Sequence, residues 1–113
     1  MAQVFEIVSM REIRDFCERI VENFQPSRVI LFGSYARGKP TIDSDVDILV
    51  VLPFEGKNSH KASEIIMTVG HPGFSVDLIV RTPEEIKERL SMGDYFIKEI
   101  FERGEVLYEA DYA

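Results

Sequence analysis

Near the start of the chain, Ile13, Phe16, Cys17, Ile20, Val21 and Phe24 recur at steps of three and one. That spacing draws one apolar stripe along a helix of 3.6 residues per turn. Ser9 and Glu12 stand at capping-box spacing just before it, and Pro26 ends it. The period then changes. Val29, Ile30, Leu31 and Phe32 form an unbroken apolar run, read as a short buried strand ended by Gly33. Residues 33–44 are polar and turn-rich, punctuated by Gly38 and Pro40. Residues 46–52 are apolar almost throughout, the mark of a strand in the middle of its sheet.

The second half continues the alternation. After a loop over residues 53–58, a helix beginning at Ser59 or His60 and running to Val69 is expected to turn Ala62, Ile65, Ile66 and Val69 inward. Gly70, His71, Pro72 and Gly73 make a turn, and residues 74–80 form a third strand. Thr82 caps another helix, with Pro83 at its first position and Glu84 and Glu85 near the positive end of its dipole. A break at Met92 and Gly93 precedes a short helix over residues 94–103, for which Gly104 is expected to be a left-handed stop. Val106, Leu107 and Tyr108 are read as a last edge strand. With no repeat and no linker, the order implies an α/β layer structure and one domain over residues 1–113.

Composition narrows the function classes. No run approaches the roughly 18 apolar residues of a membrane span, and residues 1–10 lack the pattern of a secretory signal, so a cytoplasmic protein is expected. The net charge of −7 is the opposite of a nucleic-acid footprint, which argues against direct nucleic-acid binding. The single cysteine, Cys17, rules out an internal disulfide and falls on the apolar helix stripe, where a buried structural thiol is expected.

Against this background the acidic residues stand out. Asp45 and Asp47 are two apart at the start of the second strand, so both carboxylates point to one face while Val46 and Ile48 face the other. Asp77 interrupts the third strand, where every other position except Ser75 is apolar. A carboxylate there is expected to be costly to bury without a partner. An isolated Asp-x-Asp pair is common in surface turns, and Asp43 reads as ordinary loop charge. If the second and third strands are neighbours, however, three carboxylates meet. Two like charges about 4 Å apart repel by about 4 kcal/mol at an effective dielectric near 20. Either one acid takes up a proton or a cation sits between them. Oxygen-only ligands select a hard ion such as magnesium or manganese.

The first strand runs straight into Gly33 and Ser34, a turn whose exposed amides suit a phosphate. Arg37 and Lys39 add positive charge nearby. Taken together, Gly33-Ser34-Tyr35-Ala36-Arg37-Gly38 followed by Ser44-Asp45-Val46-Asp47 resembles the polymerase-β-like nucleotidyltransferase superfamily, in which a Gly-Ser pair precedes Asp-x-Asp by ten residues. Here the ten are residues 35–44, and Asp77 matches the third acid expected on a later strand. The resemblance covers residues 29–80 and implies a small mixed sheet flanked by helices. It implies that Asp45 and Asp47 hold two magnesium ions, and that Asp77 completes one ion's site and helps to deprotonate the acceptor hydroxyl. Gly33 and Ser34 would cradle the outer phosphates of ATP, assisted by Arg37.

With no added domain to grip an acceptor, the chain looks like the minimal nucleotidyltransferase (MNT) antitoxins paired with HEPN-domain toxins, which are all-helical ribonucleases. That resemblance implies transfer of AMP to a tyrosine of a HEPN partner. The acidic surface suits a partner with a basic, RNA-binding site. Two other readings stay open: a module that neutralises its partner by docking alone, and a small-molecule modifier of the antibiotic type. Tyr95, Phe96, Ile100 and Phe101 are many large apolar groups for one short helix. Most are expected in the core, with the rest, together with Leu107, Tyr108 and Tyr112, open to a partner or to a second copy in a homo-oligomer.

Overall fold

The capping box at Ser9 forms as the spacing predicts. The Ser9 hydroxyl accepts the Glu12 N–H, and Glu12 Oε2 accepts the Ser9 N–H, opening helix α1 (Met10–Phe24). The computed structural model describes residues 7–112. Ile13, Phe16, Cys17 and Ile20 are the buried stripe of α1, and Gln25 ends it in the left-handed conformation ahead of Pro26. Burial pushes the Cys17 thiol up to about 11, so it stays a protonated, inert packing group.

Strand β1 (Arg28–Phe32) leads into a one-turn helix α2 (Gly33–Ala36), and strand β2 (Val46–Val51) follows the polar loop. Helix α3 (Asn58–Val69) carries the chain across to β3 (Val76–Arg81), which runs parallel to β2. Helices α4 (Pro83–Ser91) and α5 (Tyr95–Arg103) are capped by Thr82 and Asp94, whose side chains accept the N–H groups of Glu85 and Ile97. The last strand, β4 (Glu105–Glu109), pairs antiparallel with β1. The sheet order is β3-β2-β1-β4, a mixed sheet with the continuously apolar β2 inside and β3 and β4 at its edges.

Alternation along the strands divides the core in two. Val29, Leu31, Val46, Ile48, Val50 and Val80 pack against α1 and α3. Ile30, Leu49 and Val51 pack against Ile86 of α4 and Ile97 and Ile100 of α5. β2 is therefore covered on both faces, which is why its sequence shows no polar alternation above Asp47.

One expectation is corrected here. Gly104 does not end α5 in a left-handed turn; it has φ −72° and ψ 163°, an extended conformation open to any residue. Glycine is required there for space. A Cβ would strike the carbonyl oxygen of Ile100 and would lie 2.6 Å from Cγ2 of Ile30 and 3.0 Å from the Leu31 carbonyl oxygen. Gly104 lets the end of α5 press directly on β1.

Candidate active site

Val46 and Ile48 are fully buried in the α1–α3 core, so the alternation of β2 turns Asp47 to the α5 side of the sheet. Asp45, two residues earlier, shares that parity just before β2 begins. The parallel pairing of β2 and β3 sets Asp47 directly opposite Asp77. Strands so paired lie about 4.8 Å apart, which makes the two carboxylates neighbours. Both line a cleft of about 350 Å³ between the carboxylate-bearing ends of the strands, the α2 turn and α5.

Asp45 is brought near but not into the cleft. Its Oδ1 accepts a short hydrogen bond from the Ser75 hydroxyl, and the adjacent Val46 N–H donates to the Ser75 carbonyl oxygen at 2.9 Å. Ser75 thus orients the outermost acid, a role its place as the lone small polar residue before Asp77 did not disclose.

The expectation that Asp77 is a buried charge is not met. Its strand is an edge, and Asp77 itself is exposed. The apolar look of β3 comes from Val76, Leu78 and Val80, which pack on the α1–α3 core. Proximity to Asp47, rather than desolvation of Asp77, is what makes the pair unusual. Asp47 is the half-buried member. Desolvation raises its pKa first, the negative charges of Asp77 and Asp45 raise it further, and Arg37 opposes them. A carboxyl group held in this way favours a proton or a cation as neighbour.

The donor set is all oxygen, which suits a hard cation. Among the described residues, no three His, Cys, Asp or Glu side chains already converge as a complete metal cage. In magnesium chemistry one or two carboxylates commonly bind the ion, and substrate phosphates and water supply the remaining ligands. The Asp47–Asp77 pair, with Asp45 beside it, fits that partial set.

The glycine turn completes the floor. Gly33 has φ +74°, a conformation other residues rarely adopt, and a Cβ there would collide with Oδ2 of Asp47 and lie 3.1 Å from its Cγ. The turn and the acid are therefore in direct apposition. No side chain caps α2, so the N–H groups of its first turn have no intrahelical acceptor and are open to an anion. Ser34 lies in that turn, half-buried, and its carbonyl oxygen accepts the Lys39 N–H at 3.0 Å. Tyr35 points the other way, buried, with its hydroxyl accepting the Val8 N–H at 3.0 Å, which anchors α2 to the segment before α1. Arg37 lines the cleft, while Lys39 is exposed in the loop beyond it.

Helix α5 supplies the opposite wall, which the strand motifs did not foretell. Phe96, Glu99, Ile100 and Arg103 face the cleft. The surplus of large apolar residues in α5 was the available signal, but the expectation that most of Tyr95, Phe96, Ile100 and Phe101 lie in the core is only half met: Ile100 is buried and Phe101 partly buried against the core, whereas Tyr95 and Phe96 are exposed.

Comparison with known proteins agrees with this geometry. A sequence model of the nucleotidyltransferase domain matches residues 10–107. Two proteins of Methanocaldococcus jannaschii, both provisionally named protein adenylyltransferases, are similar to the chain. One is 28% identical over 87% of this chain and 96% of its own length. The other is 31% identical over 65% of this chain and 79% of its own length. Among solved structures, a provisionally named nucleotidyltransferase from Sulfolobus solfataricus superimposes with a TM-score of 0.62 at 22% identity, over 90% of this chain and 81% of that one. A toxin–antitoxin structure solved with AMP-PNP follows at a TM-score of 0.50 and 17% identity, over 88% and 75%. The strand order, the glycine turn and the sequence match over residues 10–107 lead to one assignment: the chain belongs to the nucleotidyltransferase domain family.

Proposed function

We propose that the chain is a metal-dependent nucleotidyltransferase that moves AMP from ATP to a tyrosine hydroxyl of a HEPN ribonuclease toxin and so acts as its antitoxin. The observation that carries the reading is the in-register pair Asp47 and Asp77, set in one cleft against the Gly33 turn. The provisional names of the M. jannaschii relatives favour a protein acceptor. The toxin–antitoxin neighbour, solved with a nucleotide analogue, favours the pairing with a toxin. The resemblance to MNT antitoxins supplies the tyrosine and the HEPN partner.

In this reading Asp45, Asp47 and Asp77 hold magnesium, with manganese as the nearest substitute. Bound there, the ions would supply positive charge that offsets the negative charge of the reacting phosphate. The open amides of the α2 turn at Gly33 and Ser34 take the outer phosphates, and Arg37 neutralises part of their charge. The acceptor oxygen forms a bond to the α-phosphorus as the bond to the bridging oxygen breaks and pyrophosphate leaves. Asp77, exposed at the cleft mouth, takes the hydroxyl proton and returns it to water. Phosphoryl chemistry of this kind rests on positioning and charge neutralisation, which the cleft provides without a covalent nucleophile.

The test combines the purified protein with its HEPN partner, magnesium and ATP labelled at the α-phosphate. Label is expected on a partner tyrosine, and none with Asp45→Asn/Asp47→Asn. An unlabelled partner that binds the protein overturns the transfer reading. Undiminished neutralisation by the double variant assigns the role to docking alone.

A further inference from the structure

Four residues of α5, Phe96, Glu99, Ile100 and Arg103, face the cleft at the spacing of one helical stripe. The seven steps from Phe96 to Arg103 span about 10 Å along the axis. Ile100 belongs to the core, but the other three do not. Phe96 is 49% exposed, although a phenyl ring gains by burial. Its plane is held by an edge-to-face contact with Phe32, with centroids 5.7 Å apart at 84°. Phe32 is itself the register partner of Asp47. A half-exposed aromatic ring, in contact with Phe32, therefore lines the same cleft as the acidic pair. At the far end of the stripe, the Arg103 guanidinium makes no ion pair among the described residues, although Glu99 is one turn away.

An aromatic ring at one end and an unpaired guanidinium at the other match the two ends of a nucleotide: a flat apolar base and an anionic tail. From this arrangement we infer that α5 carries the nucleoside subsite, with the base stacked on Phe96 and Arg103 in reach of the bound anion. The exposed neighbours Met92 and Tyr95 do not line the cleft, so the ring of Phe96 is set apart from them by its position. Stacking is tolerant of base identity, because every base offers a π-face. Phe96 therefore contributes affinity for nucleosides in general rather than selection of adenine. The inference rests on the nucleotidyltransferase reading of the cleft and adds to it where the base lies.

The chain has no tryptophan, so Phe96→Trp installs a single tryptophan at the subsite, excited selectively at wavelengths the four tyrosines do not absorb. With magnesium present, ATP is expected to quench its emission, and inorganic tripolyphosphate is expected to leave it unchanged. By calorimetry, Phe96→Ala is expected to weaken ATP binding roughly tenfold to a hundredfold while tripolyphosphate binding is retained. A thermal melt of each variant checks folding, and an unstable Phe96→Ala leaves the decision to Phe96→Trp. ATP binding to the wild type, with no quench in Phe96→Trp and unchanged affinity in Phe96→Ala, overturns the inference and leaves the proposed function standing. Equal quenching by tripolyphosphate, or a Phe96→Ala variant that loses only partner binding, also overturns it. A wild type that binds neither ATP nor tripolyphosphate removes both readings.

Discussion

At Asp47, three effects act on one carboxyl group: partial desolvation, the charges of Asp77 and Asp45, and the opposing charge of Arg37. The net result is a pKa above the ordinary 3.8. A carboxyl whose folded pKa is raised binds its proton more tightly in the folded state. It therefore subtracts stability above the folded pKa, and the loss is relieved as pH falls toward 3.8. Asp47→Asn is expected to raise Tm at pH 7 while abolishing transfer. Solvent screening keeps the gain to at most about 1 kcal/mol, a few degrees of Tm for a chain of this size, and the gain should shrink in melts taken near pH 4. Magnesium is expected to raise the Tm of the wild type and not that of Asp47→Asn. A variant that is both inactive and clearly less stable counts against the charge-repulsion account. Gly33→Ala tests the same contact from the other side. It combines a left-handed backbone penalty of about 1–2 kcal/mol with a collision against Asp47, so labelling of the acceptor should fall far more than the melt alone explains.

Among the elements, α5 has two duties that pull on different residues. Ile97 and Ile100 bury its inner face, Phe96 and Arg103 face the cleft, and Gly104 brings its end onto β1. Gly104→Ala introduces no backbone strain, because φ −72° suits alanine. The added methyl group must nevertheless displace Ile30 or the backbone of Ile100 and Leu31. Overpacking of this kind costs about 1–3 kcal/mol, to be read as a fall in the denaturation midpoint at unchanged m-value. Helix α1 offers a contrast. Ser9→Ala removes an exposed capping box remote from the cleft and should cost about 1 kcal/mol with transfer activity retained in the folded protein.

For the molecule as a whole, the net charge of −7 spreads over a surface whose cleft is also acidic, apart from Arg37 and Arg103. Such a field suits a basic partner, speeds encounter with it and is screened by salt. Association with the proposed toxin is expected to slow as ionic strength rises from about 0.01 M to 0.1 M, where the screening length contracts from about 30 Å to 10 Å. Stopped-flow mixing at several salt concentrations checks this, and a salt-independent on-rate removes charge from the account of recognition. Among the described residues, no helix is long and apolar enough to cross a membrane.

The sequence by itself determined what is local. Helix α1 was readable from a stripe and a capping box, β2 from its unbroken apolar run, and α4 from Thr82 and Pro83, because caps and periodicity act within a few residues. It also marked Gly33, Asp45, Asp47 and Asp77, since the spacing of turn and acids lies along one stretch of chain and one later strand. Only the tertiary structure decided how those residues meet. The parallel register that sets Asp47 opposite Asp77, the edge position that leaves Asp77 exposed, and the Ser75 bond that orients Asp45 are all products of strand pairing. Strand pairing joins residues thirty positions apart through hydrogen bonds that any residue but proline can make, so the side chains carry little record of it. The wall built by Phe96 and Arg103 was hidden for a related reason. An aromatic residue on a helix looks the same in sequence whether it fills a core or lines a cleft, and only the packing of α5 on β1 separates the two.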